Sequence, residues 1–149
     1  MNIKKLTLKS DQLNKPIKNL SQNEDFYNSD EYCEKNNEIN TINANDFNSL
    51  YKAKRNKILL IDVRENEEFS TSAIEGSISI PLSHLNQKSD LEFIQKESLI
   101  KEVFTICKSG KRSEKASKIL SKFKIESRSI EGGIEKFKKY CSINILNNN

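Results

Sequence analysis

No stretch of the chain approaches the ~20 consecutive apolar residues that a membrane-spanning helix needs, which excludes an integral membrane protein. The opening Met1–Gln12 carries charge but no apolar h-region, so no secretory signal peptide is visible and a cytoplasmic location is expected. Histidine is reduced to His84 alone, and the three cysteines, Cys33, Cys107 and Cys141, are odd in number and far apart. That is neither a disulfide framework nor a zinc pattern. It calls for no metal or organic cofactor and suits a reducing compartment, where a lone thiol is free to do chemistry. Tryptophan is absent, and the seven Phe and four Tyr form no stacking array. The formal charge of +4, from 25 Lys+Arg against 21 Asp+Glu, is spread through interleaved acids and bases. It marks a mildly basic protein and not a nucleic-acid binder.

What is present is unevenly distributed. Of 149 residues, 35% are hydrophobic and 31% charged, and mean hydropathy is −0.71, so a core requires the apolar residues to be concentrated. Residues 1–38 are rich in Asn, Lys, Asp and Ser, with scattered apolar positions, and read as an irregular arm or linker; Leu6 and Leu8 suggest a short strand there. Residues 39–142 carry the pattern of a folded domain, and 143–149 that of a polar tail.

Within 39–142, five strand candidates alternate with helical segments. Ile39–Ile42, Lys57–Val63, Ser77–Ile80, Glu102–Cys107 and Glu126–Ile130 read as strands, the second and fourth as runs covered on both faces. Helices are predicted after Asn43, over Glu65–Phe69, after Asp90, over Ser113–Phe123 and over Ile134–Tyr140, with Asn43 and Asp90 as caps. Such alternation predicts an α/β domain: a central, mainly parallel five-stranded sheet with helices on both faces. In sheets of this kind the site lies beyond the carboxyl ends of the strands, and Cys107 stands at one of those ends.

The segment Cys107-Lys-Ser-Gly-Lys-Arg-Ser113 is chemically the most specific in the chain. A strand stops, a short loop with one glycine follows, and a helix begins. Backbone N–H groups in such a loop turn inward as an anion-binding nest, reinforced by the positive end of the helix. Gly110 supplies a backbone conformation that a side chain resists. A cysteine at the mouth of that cradle is placed as a thiolate nucleophile, with Lys108, Lys111 and Arg112 adding positive charge. Lys108 and Lys111 are expected at the surface, and Arg112 is expected to fold inward onto loop carbonyls.

Four segments, taken in order, resemble the signatures of a rhodanese-like domain. They are Leu60–Phe69 (LIDVRENEEF), Ala73–Leu82 (AIEGSISIPL), Cys107–Ser113 (CKSGKRS) and Glu131–Ile134 (EGGI). The resemblance spans roughly residues 38–142 and implies sulfur transfer: Cys107 would accept a sulfane sulfur, become a persulfide, and pass the sulfur on. It further implies that Lys108, Ser109, Gly110, Lys111 and Arg112 form the cradle, that Asp62 and Arg64 brace the pocket, and that Gly132 and Gly133 bring a loop to its rim. The chain departs from the family's usual His, Pro and Trp with Ala73, Glu75 and Phe137. Lys108, where Arg is frequent, keeps the charge but loses a bidentate fork, which bears on any preference for thiosulfate.

The donors implied are thiosulfate or a cysteine desulfurase persulfide. The arm, with Met1–Ser10, Asn19-Leu20 and Glu31–Cys33, is similar to the connector of enzymes that activate sulfur-carrier proteins for molybdopterin and thiamin synthesis, which adds such a carrier and its adenylating enzyme as partners. Two other readings stand beside sulfur transfer. One is a non-catalytic docking module of the same fold, although inactive versions usually lack the cysteine. The other is a cysteine-dependent phosphatase or arsenate reductase, whose loop between Cys and Arg is one residue longer than Lys108–Lys111.

Overall fold

The computed structural model describes residues 38–141 and 145–147; the arm expected over residues 1–38 lies, but for its last residue, outside them. Five strands form one sheet: β1 (Thr41–Ile42), β2 (Ile58–Asp62), β4 (Ile78–Ser79), β5 (Glu102–Ile106) and β6 (Arg128–Ile130). Their order is β1-β6-β5-β2-β4, and every pairing is parallel. The five α-helices among the described residues are α1 (Ala44–Lys54), α2 (Asn66–Thr71), α3 (Lys88–Glu97), α4 (Lys111–Lys122) and α5 (Gly133–Tyr140). The α/β layering read from the sequence is therefore the observed one.

The two-sided core explains why β2 and β5 read as near-continuous apolar runs. Along β2, Leu59 and Ile61 face one layer with Leu91 and Ile94 of α3 and Ala116 and Leu120 of α4. Ile58 and Leu60 face the other, with Phe47 and Tyr51 of α1 and Ile134 and Phe137 of α5. Successive side chains of a strand point to opposite faces, so a sheet clad on both sides must be apolar at every position. Phe47 centres the second layer, its ring 5.0 Å from Phe104 and 6.2 Å from Phe137.

Local chemistry sets the element ends. Asn43 caps α1 by accepting the Asp46 N–H at 2.8 Å. For α3 the cap differs from expectation: the helix starts at Lys88 behind Gln87, and Asp90 sits inside its first turn, where its charge suits the helix dipole. Helix α4 ends in a Schellman turn, with Ile125 N–H on the Leu120 carbonyl and Lys124 N–H on that of Ser121. Lys124 takes the left-handed position, φ 61°, that glycine usually fills.

Two short strands lie outside the sheet predicted from the sequence. β3 (Ser72–Ile74) pairs antiparallel with β7 (Ile145–Asn147), so residues expected as part of a polar tail add backbone hydrogen bonds to the domain. The pairing buries Ser72, Ala73 and Ile74 on one flank.

Candidate active site

The carboxyl ends of β2 and β5 are side by side, with Asp62 opposite Ile106. Directly beyond them, Cys107 opens the loop that enters α4. Its residue exposure is 1%, so the sulfur lies at the base of the loop, in the same core layer as Val63 and Ala116. The thiol is not surrounded by hydrocarbon alone. The Gly110 N–H donates to Cys107 Sγ at 3.0 Å, and the Ser113 hydroxyl lies 3.5 Å from it.

The last helix shapes this loop. Ile134 N–H donates to the Cys107 carbonyl at 2.8 Å, and Glu135 N–H to the Lys108 carbonyl at 3.2 Å. A trans peptide is planar with C=O and N–H on opposite sides. Carbonyls drawn toward α5 therefore turn the N–H groups of Lys108 and Ser109 the other way. The same contact fixes Gly133: a Cβ there would run into the carbonyl oxygens of Cys107 and Lys108, at φ 60°. Gly110, at φ 107°, also lies against α5's entry, where a Cβ would sit 3.2 Å from the Gly132 nitrogen.

The loop's side-chain candidates divide into two groups. Lys108, Ser109 and Lys111 are exposed on the loop, and neither lysine pairs with a carboxylate among the described residues. Arg112 does not fold onto loop carbonyls as expected. Its guanidinium makes a two-pronged pair with Glu68 of α2, at 2.8 and 3.0 Å, because a carboxylate one helix away matches its planar fork. Glu68 also accepts the Glu65 N–H that opens α2, at 3.0 Å. The Arg112 bond, more than any other influence, holds the Glu68 carboxyl down at about 2. Arg112 is raised, chiefly by Glu68, with the Cys107 charge adding to it.

Asp62 and Arg64 form a buried ion pair at the end of β2. Arg64 Nε lies 2.9 Å and Nη2 2.7 Å from the two Asp62 oxygens, and Nη2 also donates to the Ser72 carbonyl at 2.6 Å. Both are under 5% exposed, so the pair ties the end of β2 to the start of β3. Glu68, Ser113 and Ser129 were not among the candidates read from the sequence. Their signal is spatial: Glu68 approaches from 44 positions away, and Ser129 reaches Ser113 from a neighbouring strand. Cys141 illustrates the opposite case to Cys107. Its Sγ lies 3.5 Å from the Ala44 carbonyl, no N–H among the described residues donates to it, and burial raises its thiol.

With this geometry in place, the class is defined: a cysteine loop between a parallel strand and a helix, clasped by the helix that closes the domain. Residues 43–140 match the model of the rhodanese-like domain, and the chain belongs to that family. Among its relatives is a putative mitochondrial thiosulfate sulfurtransferase of Schizosaccharomyces pombe, 34% identical over 97 residues, covering 56% of this chain and 68% of that one. Another is an adenylyltransferase and sulfurtransferase of Yarrowia lipolytica, 36% identical over 78 residues, 52% of this chain but only 19% of that protein. A rhodanese-related protein of Thermoplasma volcanium has a similar crystal structure, with TM-score 0.60 and 28% identity over 72% of this chain and 97% of that one. A sulfurtransferase-type function follows at the level of the family. No helix among the described residues is long and apolar enough to cross a membrane.

Proposed function

We propose that the protein transfers a sulfane sulfur through a persulfide on Cys107. The reading rests on one observation: the sulfur receives a backbone N–H from its own loop, at 3.0 Å from Gly110, instead of lying unsatisfied in the core. In the first half-reaction the Cys107 thiolate attacks the outer sulfur of the donor. A new S–S bond forms, the donor's bond breaks, and the electron pair leaves with the donor fragment, sulfite in the case of thiosulfate. In the second, an acceptor nucleophile attacks the outer sulfur and Cys107 departs as thiolate. Both steps gain from donors aimed at sulfur, because charge resides there before and after each transfer.

Gly110, with the inward-turned amides of Lys108 and Ser109, cradles the outer sulfur. Lys108 and Lys111 supply mobile positive charge at the mouth, which suits an anionic donor such as thiosulfate or the persulfide-bearing surface of a desulfurase. Arg112 is committed to Glu68 and serves the loop's shape; Asp62 and Arg64 do the same for the adjoining strand end. Loop length disfavours phosphate ester cleavage, since four residues enclose less space than a phosphoryl group requires. The acceptor proposed is the acyl-adenylate of a sulfur-carrier protein ending in Gly-Gly, supported by the relative whose name joins an adenylyltransferase to a sulfurtransferase. Here the outer sulfur of the persulfide attacks the acyl carbon and AMP leaves. Two equivalents of a thiol then reduce the acyl disulfide to thiocarboxylate and Cys107 thiol, becoming a disulfide themselves.

A donor panel tests this reading. Full-length protein incubated with thiosulfate plus cyanide, or with a desulfurase, cysteine and a thiol, should release thiocyanate or sulfide, and Cys107→Ser should lower the rate to background. Equal release by the variant would remove Cys107 from the reaction.

A further inference from the structure

We propose that Ser113, backed by Ser129, is a catalytic hydroxyl that switches its hydrogen bond between the loop and the Cys107 sulfur as that sulfur gains and loses charge. The inference deepens the sulfur-transfer reading and rests on it for the identity of the reaction. Three contacts meet at Ser113 Oγ: the Gly110 carbonyl at 3.0 Å, Ser129 Oγ at 2.7 Å and Cys107 Sγ at 3.5 Å. Ser113 is 0% exposed and Ser129 1%, so no water shell competes for these groups.

A hydroxyl carries one proton to donate and two lone pairs to accept with. With Cys107 as a thiol, one arrangement satisfies every group. Ser113 donates to the Gly110 carbonyl, accepts from Ser129, and accepts from the thiol proton. When that proton leaves to base, the thiolate has nothing to donate and needs a donor. Ser113 can turn its proton to the sulfur without stranding its former partner, because the Gly110 carbonyl keeps the Glu114 N–H at 3.1 Å. Ser129 goes on donating to Ser113, which polarises the O–H now aimed at sulfur. No covalent bond of the serine breaks; only its hydrogen bond changes direction. The same donor meets the sulfur when the S–S bond of the persulfide breaks and its electron pair stays on Cys107.

The backbone of Ser113 is held for this task. Its carbonyl accepts the Thr105 hydroxyl at 2.9 Å, and Thr105 Oγ1 lies 3.0 Å from Ser117 Oγ, which accepts from Ser127 at 2.9 Å. A chain of side-chain hydroxyls thus links β5, α4 and the residue before β6. The charged groups around the sulfur are Lys108, Lys111 and Arg112 on its own loop and α4, Glu68 on α2, the Asp62–Arg64 pair at β2 and Glu135 at α5's start. Replacing a serine alters none of them.

The test is alkylation of Cys107 by iodoacetamide in the full chain, scored on the Cys107 peptide by mass spectrometry across pH. Because no sulfur donor is involved, it is separate from the sulfur-transfer reading. Ser113→Ala should slow alkylation about tenfold at neutral pH and displace the acid limb of the profile upward. Ser129→Ala should shift it the same way by less, and Ser113→Thr should restore it. Unchanged profiles in Ser113→Ala would overturn the proposal. Should Ser113→Ala fail to fold, an unchanged Ser129→Ala profile would overturn it in its place. Profiles that move as expected in a protein that never takes up sulfur would leave the hydroxyl role standing and remove the transfer reading.

Discussion

Cys107 depends on neighbours that are small or fixed. Gly133 is the sharpest case, since its Cα faces two carbonyl oxygens and its φ is positive. Gly133→Ala should disrupt the clasp between α5 and the loop, lowering sulfur transfer at least as much as stability, as the ratio of thiocyanate rate to urea midpoint will show. Glu68 is the second case. Its carboxyl lies at about 2 against an ordinary 4.5, so its contribution is full above pH 4.5 and fades as pH falls toward 2. The pair is about one-third exposed, and solvent screening limits its worth to about 1 kcal/mol. Glu68→Gln should therefore lower unfolding free energy by about 1 kcal/mol at pH 7. The gap between the two proteins should close near pH 2, measured by urea melts at both pH values. The thiol, its loop and Gly110 were legible because their spacing is local. The partner of Arg112 was not, nor was the hydroxyl behind Ser113, because Glu68 and Ser129 are brought in by tertiary packing.

Among the elements, strands covered on both faces announced themselves through runs such as Ile58–Ile61, and all five sheet strands were read, though with longer ends. The β3–β7 pair was not. Three residues are too few for an alternation signal, and Ile145–Asn147 gains its partner only once the chain has folded back. Caps were legible where a short polar side chain precedes the helix, as at Asn43. They were not at α3, where Gln87 precedes the helix without a side-chain cap bond. Helix α4 holds an unused increment of stability. Lys124 occupies a left-handed position that costs an L-residue roughly 1 kcal/mol, which glycine does not incur. Lys124→Gly should raise the urea midpoint and leave sulfur transfer unchanged; a lowered midpoint would show that the lysine side chain matters more than its backbone.

At the scale of the whole molecule, two apolar layers hold the sheet, and the cysteine loop hangs from the edge both share. Phe47, fully buried against Tyr51, Phe104 and Phe137, is the keystone of the α1–α5 layer. Phe47→Ala should cost about 3–5 kcal/mol, a large part of what a domain of this size has. Because α5 belongs to that layer and clasps the loop, the loss should extend to the site: thiocyanate formation should fall at temperatures where the fold is still intact by circular dichroism. Whether Cys107 carries sulfur decides what the whole domain does. Intact-protein mass spectrometry after incubation with thiosulfate, and separately with a desulfurase and cysteine, should show the mass of one added sulfur, mapped to Cys107 and discharged by cyanide. A wild-type protein that gains no sulfur from either donor, or gains it equally as Cys107→Ser, would contradict it.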